Sequence, residues 1–186
     1  MKIKCKACDG HYKVRESQYG LFGGCSRFPD CKSKIKIPDL VFEFLSNRGI
    51  DIYRWEKECY KCRNTTLVYS YFLYYSLEEL DNIFAMMHGL GLGDISWLDN
   101  FLIKNVETIK TCFSKTTQSS YVANICVHCG ALQGRNYVVD DPHEIMRDLF
   151  HDHSMDKYLY KTISITNNHS ELLSDLRKVL GSDISS

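Results

Sequence analysis

The spacing of its cysteines constrains this chain more than any other feature. Eight of the nine fall into two sets of four: Cys5, Cys8, Cys25 and Cys31, then Cys59, Cys62, Cys126 and Cys129, with Cys112 left over. Cys-x-x-Cys pairs suit tetrahedral zinc, whose thiolate ligands sit at about 2.3 Å. In a reducing compartment such close pairs are metal ligands rather than cross-links. The opening Met-Lys-Ile-Lys-Cys lacks the apolar core of a signal peptide. No apolar run approaches the roughly 18 residues that a membrane span requires. A cytoplasmic protein holding two zinc ions per chain, with no membrane partner, is therefore expected.

The first set organises a segment that cannot fold by burial alone. Residues 1–37 carry few large apolar side chains, so metal is the expected organiser, since structural zinc contributes roughly 10–16 kcal/mol in small fingers. Gly20, Gly23 and Gly24 are expected to let the chain bend back towards the metal, and Pro29 to stiffen the loop between Cys25 and Cys31. Short strands are expected near Lys4, over Tyr12–Arg15 and over Lys34–Ile37. Charge is uneven. Residues 1–38 hold nine basic side chains against three acidic ones, a net of +6, so residues 39–186 carry −6 and the whole chain none. A polyanion contact therefore belongs to the N-terminus.

From Pro38 the texture changes, which places a boundary between a finger (1–38) and a second domain (39–186). The fold class is α+β: a small β-rich finger followed by an α+β domain built around a split four-cysteine zinc ribbon. Pro38-Asp39 starts a helix that Gly49 stops. Ile50–Trp55 and Thr65–Tyr75 are strands on either side of Cys59-Tyr-Lys-Cys62. The capping-box pattern Ser76-Leu-Glu-Glu79 begins a helix to about His88. A turn follows near Gly89–Gly93. The spacing of Ile95, Leu98, Leu102, Val106 and Ile109 predicts a helix over Asp94–Phe113, making 76–113 a helical insertion between ribbon halves. Tyr121–Ile125 leads into Cys126-Val-His-Cys129, and Asn136–Val139 leads out. A helix from Asp141-Pro142 to about His151, a strand over Tyr158–Ile165 and an amphipathic helix over Ser170–Leu180 complete the chain.

The pattern Cys5-x-x-Cys8, sixteen residues ending Tyr19-Gly-Leu-Phe-Gly-Gly24, then Cys25-Ser-Arg-Phe-Pro-Asp-Cys31-Lys32, resembles the C-terminal four-cysteine zinc finger of bacterial type I DNA topoisomerases. The resemblance covers residues 3–37. It departs from the family at Asp9, where glycine is usual and Gly10 follows one residue later. It implies contact with single-stranded DNA. The residues themselves are suited to that contact: lysines and arginines neutralise phosphates, and aromatic faces stack bases at about 1–3 kcal/mol each. The candidate contacts are Lys13, Arg15, Tyr19, Arg27, Phe28, Lys32 and Lys34. Tyr12 offers a further face, whereas Phe22 is expected to fill the miniature core. The resemblance does not bring the enzyme with it, because the 148 residues after the finger are too few for a strand-passage core.

The second set is separated by 63 residues, yet each Cys-x-x-Cys knuckle contributes two ligands through its own local turn. Ala123-Asn-Ile-Cys-Val-His-Cys-Gly-Ala131 has the look of a rubredoxin-type knuckle. A redox dithiol would instead place its first cysteine at a helix start. His128 is a conceivable substitute ligand, but four cysteines already complete the site. Cys112 is expected to be a small buried side chain rather than a nucleophile. The stretch His143–His153, rich in Asp, Glu and His, is the alternative that would make the chain a metal-dependent nuclease, through Asp141, His143, Glu144, His151 and His153. The opposing reading is a solvated acidic helix face. A protein-interaction adaptor, with the acidic domain recruiting a partner, is the third possibility. The leading expectation is a non-enzymatic DNA-binding protein.

Overall fold

A computed structural model describes residues 2–73, 91–135, 137–138, 154–165 and 169–181. The chain divides into two compact units. One comprises Met1–Ile50, Phe72–Leu90 and Ile163–Ser186; the other comprises Asp51–Tyr71 and Gly91–Thr162. Among the described residues the architecture is α+β, with three small sheets.

In the first unit, β1 (Tyr12–Ser17), β2 (Gly20–Cys25) and β3 (Lys34–Lys36) form an antiparallel sheet in the order β1-β2-β3. A bridge between Lys4 and His11 precedes it. β2 occupies the stretch whose glycines were expected to turn the chain. Of these, only Gly20, at φ 99°, takes a turn conformation. Gly23 is glycine for a different reason: a Cβ there would run into Cγ2 of Ile35 on β3 and lie 3.2 Å from Leu40 Cδ2. Close approach of strand to strand and strand to helix, rather than bending, demands the missing side chain.

Helix α1 (Ile37–Arg48) starts as its Pro38 predicts and ends at Gly49, whose φ of 87° favours glycine. Its buried face, Ile37, Leu40, Val41, Phe44 and Leu45, packs against the sheet and against the C-terminal helix. That helix, α3 (His169–Gly181), buries Leu172, Leu176 and Leu180 at i, i+4 and i+8. Each such leucine contributes about 1.5–3 kcal/mol by leaving water. The metal module thus gains an apolar core from outside the cysteine-rich segment.

In the second unit, β4 (Ile50–Glu58) and β5 (Thr65–Tyr71) are antiparallel around the first knuckle, and β9 (Leu159–Ile163) flanks β4, preceded by a 3-10 turn at Met155–Tyr158. Helix α2 (Ser96–Asn105) is followed by β6 (Ile109–Ser114), β7 (Ser119–Ile125) and β8 (Leu132–Gln133), which form the third sheet. The helix expected over Asp94–Phe113 therefore stops early. Val106 is already extended (φ −130°, ψ 111°), and residues 109–114 pair residue for residue with 119–124. Val106, Thr108, Ile109 and Thr111 are β-branched, and pairing with β7 outweighs the helical spacing of the apolar residues. The helices expected over 76–88 and 141–151 lie outside the described residues.

Buried polar groups tie this unit together. Tyr71 donates its hydroxyl hydrogen to Asp99 Oδ1 at 3.0 Å while accepting the Ile95 N–H at 2.9 Å. Asn124 on β7 accepts the Tyr69 N–H at 2.8 Å and donates to the Tyr69 carbonyl at 2.9 Å. One side chain thereby satisfies a backbone residue of another sheet, as a paired strand would.

Candidate metal centres and nucleic-acid face

The two cysteine quartets converge as their spacing implies. Within Cys5, Cys8, Cys25 and Cys31, and within Cys59, Cys62, Cys126 and Cys129, all four Sγ atoms lie within 4.8 Å of one another. Four sulfurs at about 2.3 Å from a common tetrahedral centre are about 3.8 Å apart. The observed separations include Cys5–Cys31 at 3.8 Å, Cys8–Cys25 at 3.5 Å, and Cys59–Cys129 and Cys62–Cys126 at 3.7 Å. The chain bridges 63 intervening residues to assemble the second quartet. Four thiolates with no open position fit structural zinc, and two quartets fit two ions.

Each knuckle is built by its own backbone. The amide of the leading cysteine closes a turn onto the carbonyl five residues on: Cys5 to Gly10 (2.8 Å), Cys59 to Asn64 (2.9 Å), Cys126 to Ala131 (2.8 Å). N–H groups aim at the sulfurs, including Ala7 to Cys5 (3.4 Å), Gly10 to Cys8 (3.3 Å) and Arg27 to Cys25 (3.4 Å). Asp9 needs no left-handed backbone. Gly10 is the residue the turn requires, because a Cβ there would lie 3.0 Å from Cys25 Sγ. Neither pair of the second centre opens a helix, the geometry a redox dithiol would use.

Backbone amides, burial and neighbouring thiols together set the acidity of these cysteines. The Ala7 N–H holds Cys5 down at about 6, whereas Cys25 is pushed up to about 12 by burial and by its neighbouring thiols, against the Arg27 N–H. In the second centre Cys59 stands at about 6 against its burial, held there by the amides of Cys62 and Lys61, and Cys62 rises to about 12 against the Asn64 N–H. In each centre one thiol is acidified while another is held protonated, so the full four-thiolate charge would form with a cation in place.

Around the second centre, fully buried Gln133 donates to Cys59 Sγ at 3.3 Å and to the Ala131 carbonyl at 2.9 Å. Val127 N–H reaches Thr66 Oγ1 at 3.2 Å. His128 donates from Nε2 to the Thr65 carbonyl at 3.0 Å and so serves as a clamp between the knuckles. Cys112 lies half-buried on β6, opposite Tyr121.

The finger's sheet has two unlike faces. Gly23 and Ile35 face α1. In register on the other face, Lys13 opposes Gly24, which opposes Lys34, and Arg15 opposes Phe22, which opposes Lys36. A groove of about 470 Å³ runs there, bordered by Arg15, Phe22, Phe28, Lys32 and Lys34. Lys34 Nζ sits 5.0 Å above the Phe22 ring and the Arg15 guanidinium 5.8 Å from the Phe28 ring. Four of the seven predicted contacts meet at this groove. Lys13 lies on the same sheet face. Tyr19, 77% exposed at the β1–β2 turn, and Arg27 stand outside the groove.

Two aromatic expectations change. Tyr12 is buried and bonds through its hydroxyl to Ser33 Oγ at 2.8 Å, so it offers no face. Phe22, expected in the core, is half-exposed and lines the groove because its register puts it on the basic side. Lys36 was also passed over. Two-residue alternation along β2 and β3 was the signal for both.

Residues 2–39 match the family model of the topoisomerase DNA-binding C4 zinc finger. The finger therefore accounts for zinc binding at the first centre and points to nucleic acid as its partner. The match covers about a fifth of the chain and leaves the second centre outside it. No curated protein and no solved structure matches the chain. Among the described residues, the two cysteine quartets are the clusters suited to a metal, and no helix is long and apolar enough to cross a membrane. The His143–His153 stretch lies outside the described residues.

Proposed function

We propose that the protein binds nucleic acid, single-stranded DNA in preference, on the basic sheet face of its finger. The observation that carries this reading is the groove in which Phe22 and Phe28 each lie beneath a cation, Lys34 and Arg15 respectively. Unpaired bases can stack on exposed rings while lysines and arginines take the phosphates; a duplex keeps its base faces covered. Lys13, Lys32 and Lys36 extend the cationic surface, with Tyr19 and Arg27 at its margins. The acidic remainder of the chain repels polyanions and so favours this face.

The test is fluorescence anisotropy with the zinc-loaded full chain and labelled oligonucleotides over a salt series. Single strands should bind more tightly than duplex of equal length, with affinity falling as salt rises. Phe28→Ala and Arg15→Ala should each weaken binding about 10-fold, in line with a stacking loss of about 1–3 kcal/mol per base. Equal affinity for duplex and single strand, or wild-type binding by both variants, would overturn the proposal.

A further inference from the structure

Phe22 and Lys34 border two depressions. Beyond the groove just described, a larger cleft of about 890 Å³ is lined by the same two side chains, by Lys36 and Asp39, and by Arg177 and Gly181 of α3. We infer that the nucleic-acid track continues past Phe22 into this cleft, and that Arg177 is a phosphate contact supplied by the C-terminal helix. The inference rests on the reading of the finger face as a nucleic-acid site.

Three features carry it. The cleft adjoins the groove, since Phe22 and Lys34 line both, so a strand stacked on Phe22 has its next phosphates there. Its rim is cationic, with Lys34, Lys36 and Arg177 against the single carboxylate of Asp39. Leu172, Leu176 and Leu180 anchor α3, and Arg177 projects from the flank of that buried stripe, about 100° around the helix from its centre.

The local chemistry gives Asp39 a definite part. Arg177 Nη2 donates to Asp39 Oδ1 at 2.7 Å, across 138 residues of chain. The arginine side chain is 57% exposed and the aspartate 27%. A guanidinium presents a planar fork of donors that suits carboxylate and phosphate alike. In the free protein Asp39 holds that fork over the cleft, in the place of a phosphate oxygen, and its charge opposes an arriving strand. Removal of Arg177 and removal of the Asp39 charge therefore have opposite effects on binding.

The experiment uses the zinc-loaded full chain and oligothymidylates of about 4 and about 12 nucleotides, within the span of single-strand site sizes. Arg177→Ala should weaken the longer oligonucleotide about 5-fold and lower the salt slope by about 0.7, as for one lost phosphate, while leaving the shorter one within about 2-fold. Arg177→Lys should retain most of the affinity, and Asp39→Asn should tighten the longer oligonucleotide. A purely structural ion pair would make Arg177→Ala and Asp39→Asn shift binding in the same direction, or not at all, and either result overturns the inference. If Arg15→Ala weakens both oligonucleotides while Arg177→Ala is silent, the track ends at Phe22 and the finger reading stands. If Arg15→Ala is silent as well, the finger reading fails and this inference fails with it.

Discussion

Arg63 and Gly130 occupy the same place in the two halves of the second zinc centre. Each follows its leading cysteine by four residues, each is left-handed (φ 64° and 66°), and each donates its N–H to that cysteine's carbonyl at 2.9 Å. The turn requires this backbone, and only one half meets it with the residue that adopts it freely.

A left-handed backbone costs a side-chain-bearing residue about 1–2 kcal/mol. Arg63→Gly should therefore raise the stability of the zinc-loaded protein by about 0.5–1 kcal/mol, net of glycine's greater unfolded freedom. The exposed Arg63–Glu58 ion pair (2.9 Å) that it removes contributes little. Gly130→Ala should lower stability by a similar amount through backbone conformation alone, since a Cβ there meets nothing within 4 Å. Denaturant titration of the two variants measures both. A loss in Arg63→Gly would show that the ion pair outweighs the backbone.

Asn124 completes the backbone bonding of Tyr69 from a different sheet. Asn124→Leu leaves a buried amide and carbonyl without these partners, so a loss of about 2–4 kcal/mol is expected. Asn124→Asp keeps the acceptor for the Tyr69 N–H but sets a carboxylate against the Tyr69 carbonyl, and should do no better at neutral pH. Thermal melts of both variants against wild type decide the point, and near-wild-type stability of Asn124→Leu would count against it.

The amide of Gln133 steadies Cys59 of the second centre. Gln133→Leu should weaken zinc there about 10-fold, the lower end of what outer ligand partners contribute. Gln133→Glu should do so more strongly, since a carboxylate would face the thiolate. Elemental analysis should find two zinc ions per wild-type chain. Competition with a chromogenic chelator should show one weakened ion in the variants and the other unchanged, and both should leave more readily as pH falls, because protons compete for the thiolates. Loss of both ions together from Gln133→Leu would refute a local role.

Adjacent glycines on β2 should behave differently. Gly23→Ala drives a methyl into Ile35 and towards Leu40, with an expected cost of about 1–3 kcal/mol. Gly24→Ala meets Arg15 Cδ at 2.6 Å and Nε at 2.9 Å, part of a flexible exposed side chain that can swing away. Stability should survive in Gly24→Ala, while oligonucleotide affinity falls as Arg15 leaves its place beside Phe28. Equal melting losses in the two variants would contradict the two-faced sheet.

Much of this was legible in the residues because it depends on local chemistry. Cys-x-x-Cys spacing sets the knuckles, Pro38 and Gly49 bracket α1, and the repeated leucines of α3 set its buried stripe. Less was legible where a partner decides. The periodicity of residues 94–113 suits a helix throughout, but 109–114 are claimed by pairing with β7. Phe22 lies among glycines in a cysteine-rich segment, and only its pairing with Arg15 and Lys36 places it on the basic face.

By itself, the sequence determined which atoms can bind metal, since ligand type and short spacing act through a few consecutive backbone bonds. It also determined where the positive charge lies. The matching knuckles also pointed to Cys59 and Cys62 meeting Cys126 and Cys129, whereas the tertiary structure alone decided how the chain closes across 63 residues, through packing and side chains such as Asn124. It likewise decided that α3 stands beside the finger with Arg177 over its cleft, for burial of Leu172, Leu176 and Leu180 acts on surface removed from water and is indifferent to distance along the chain.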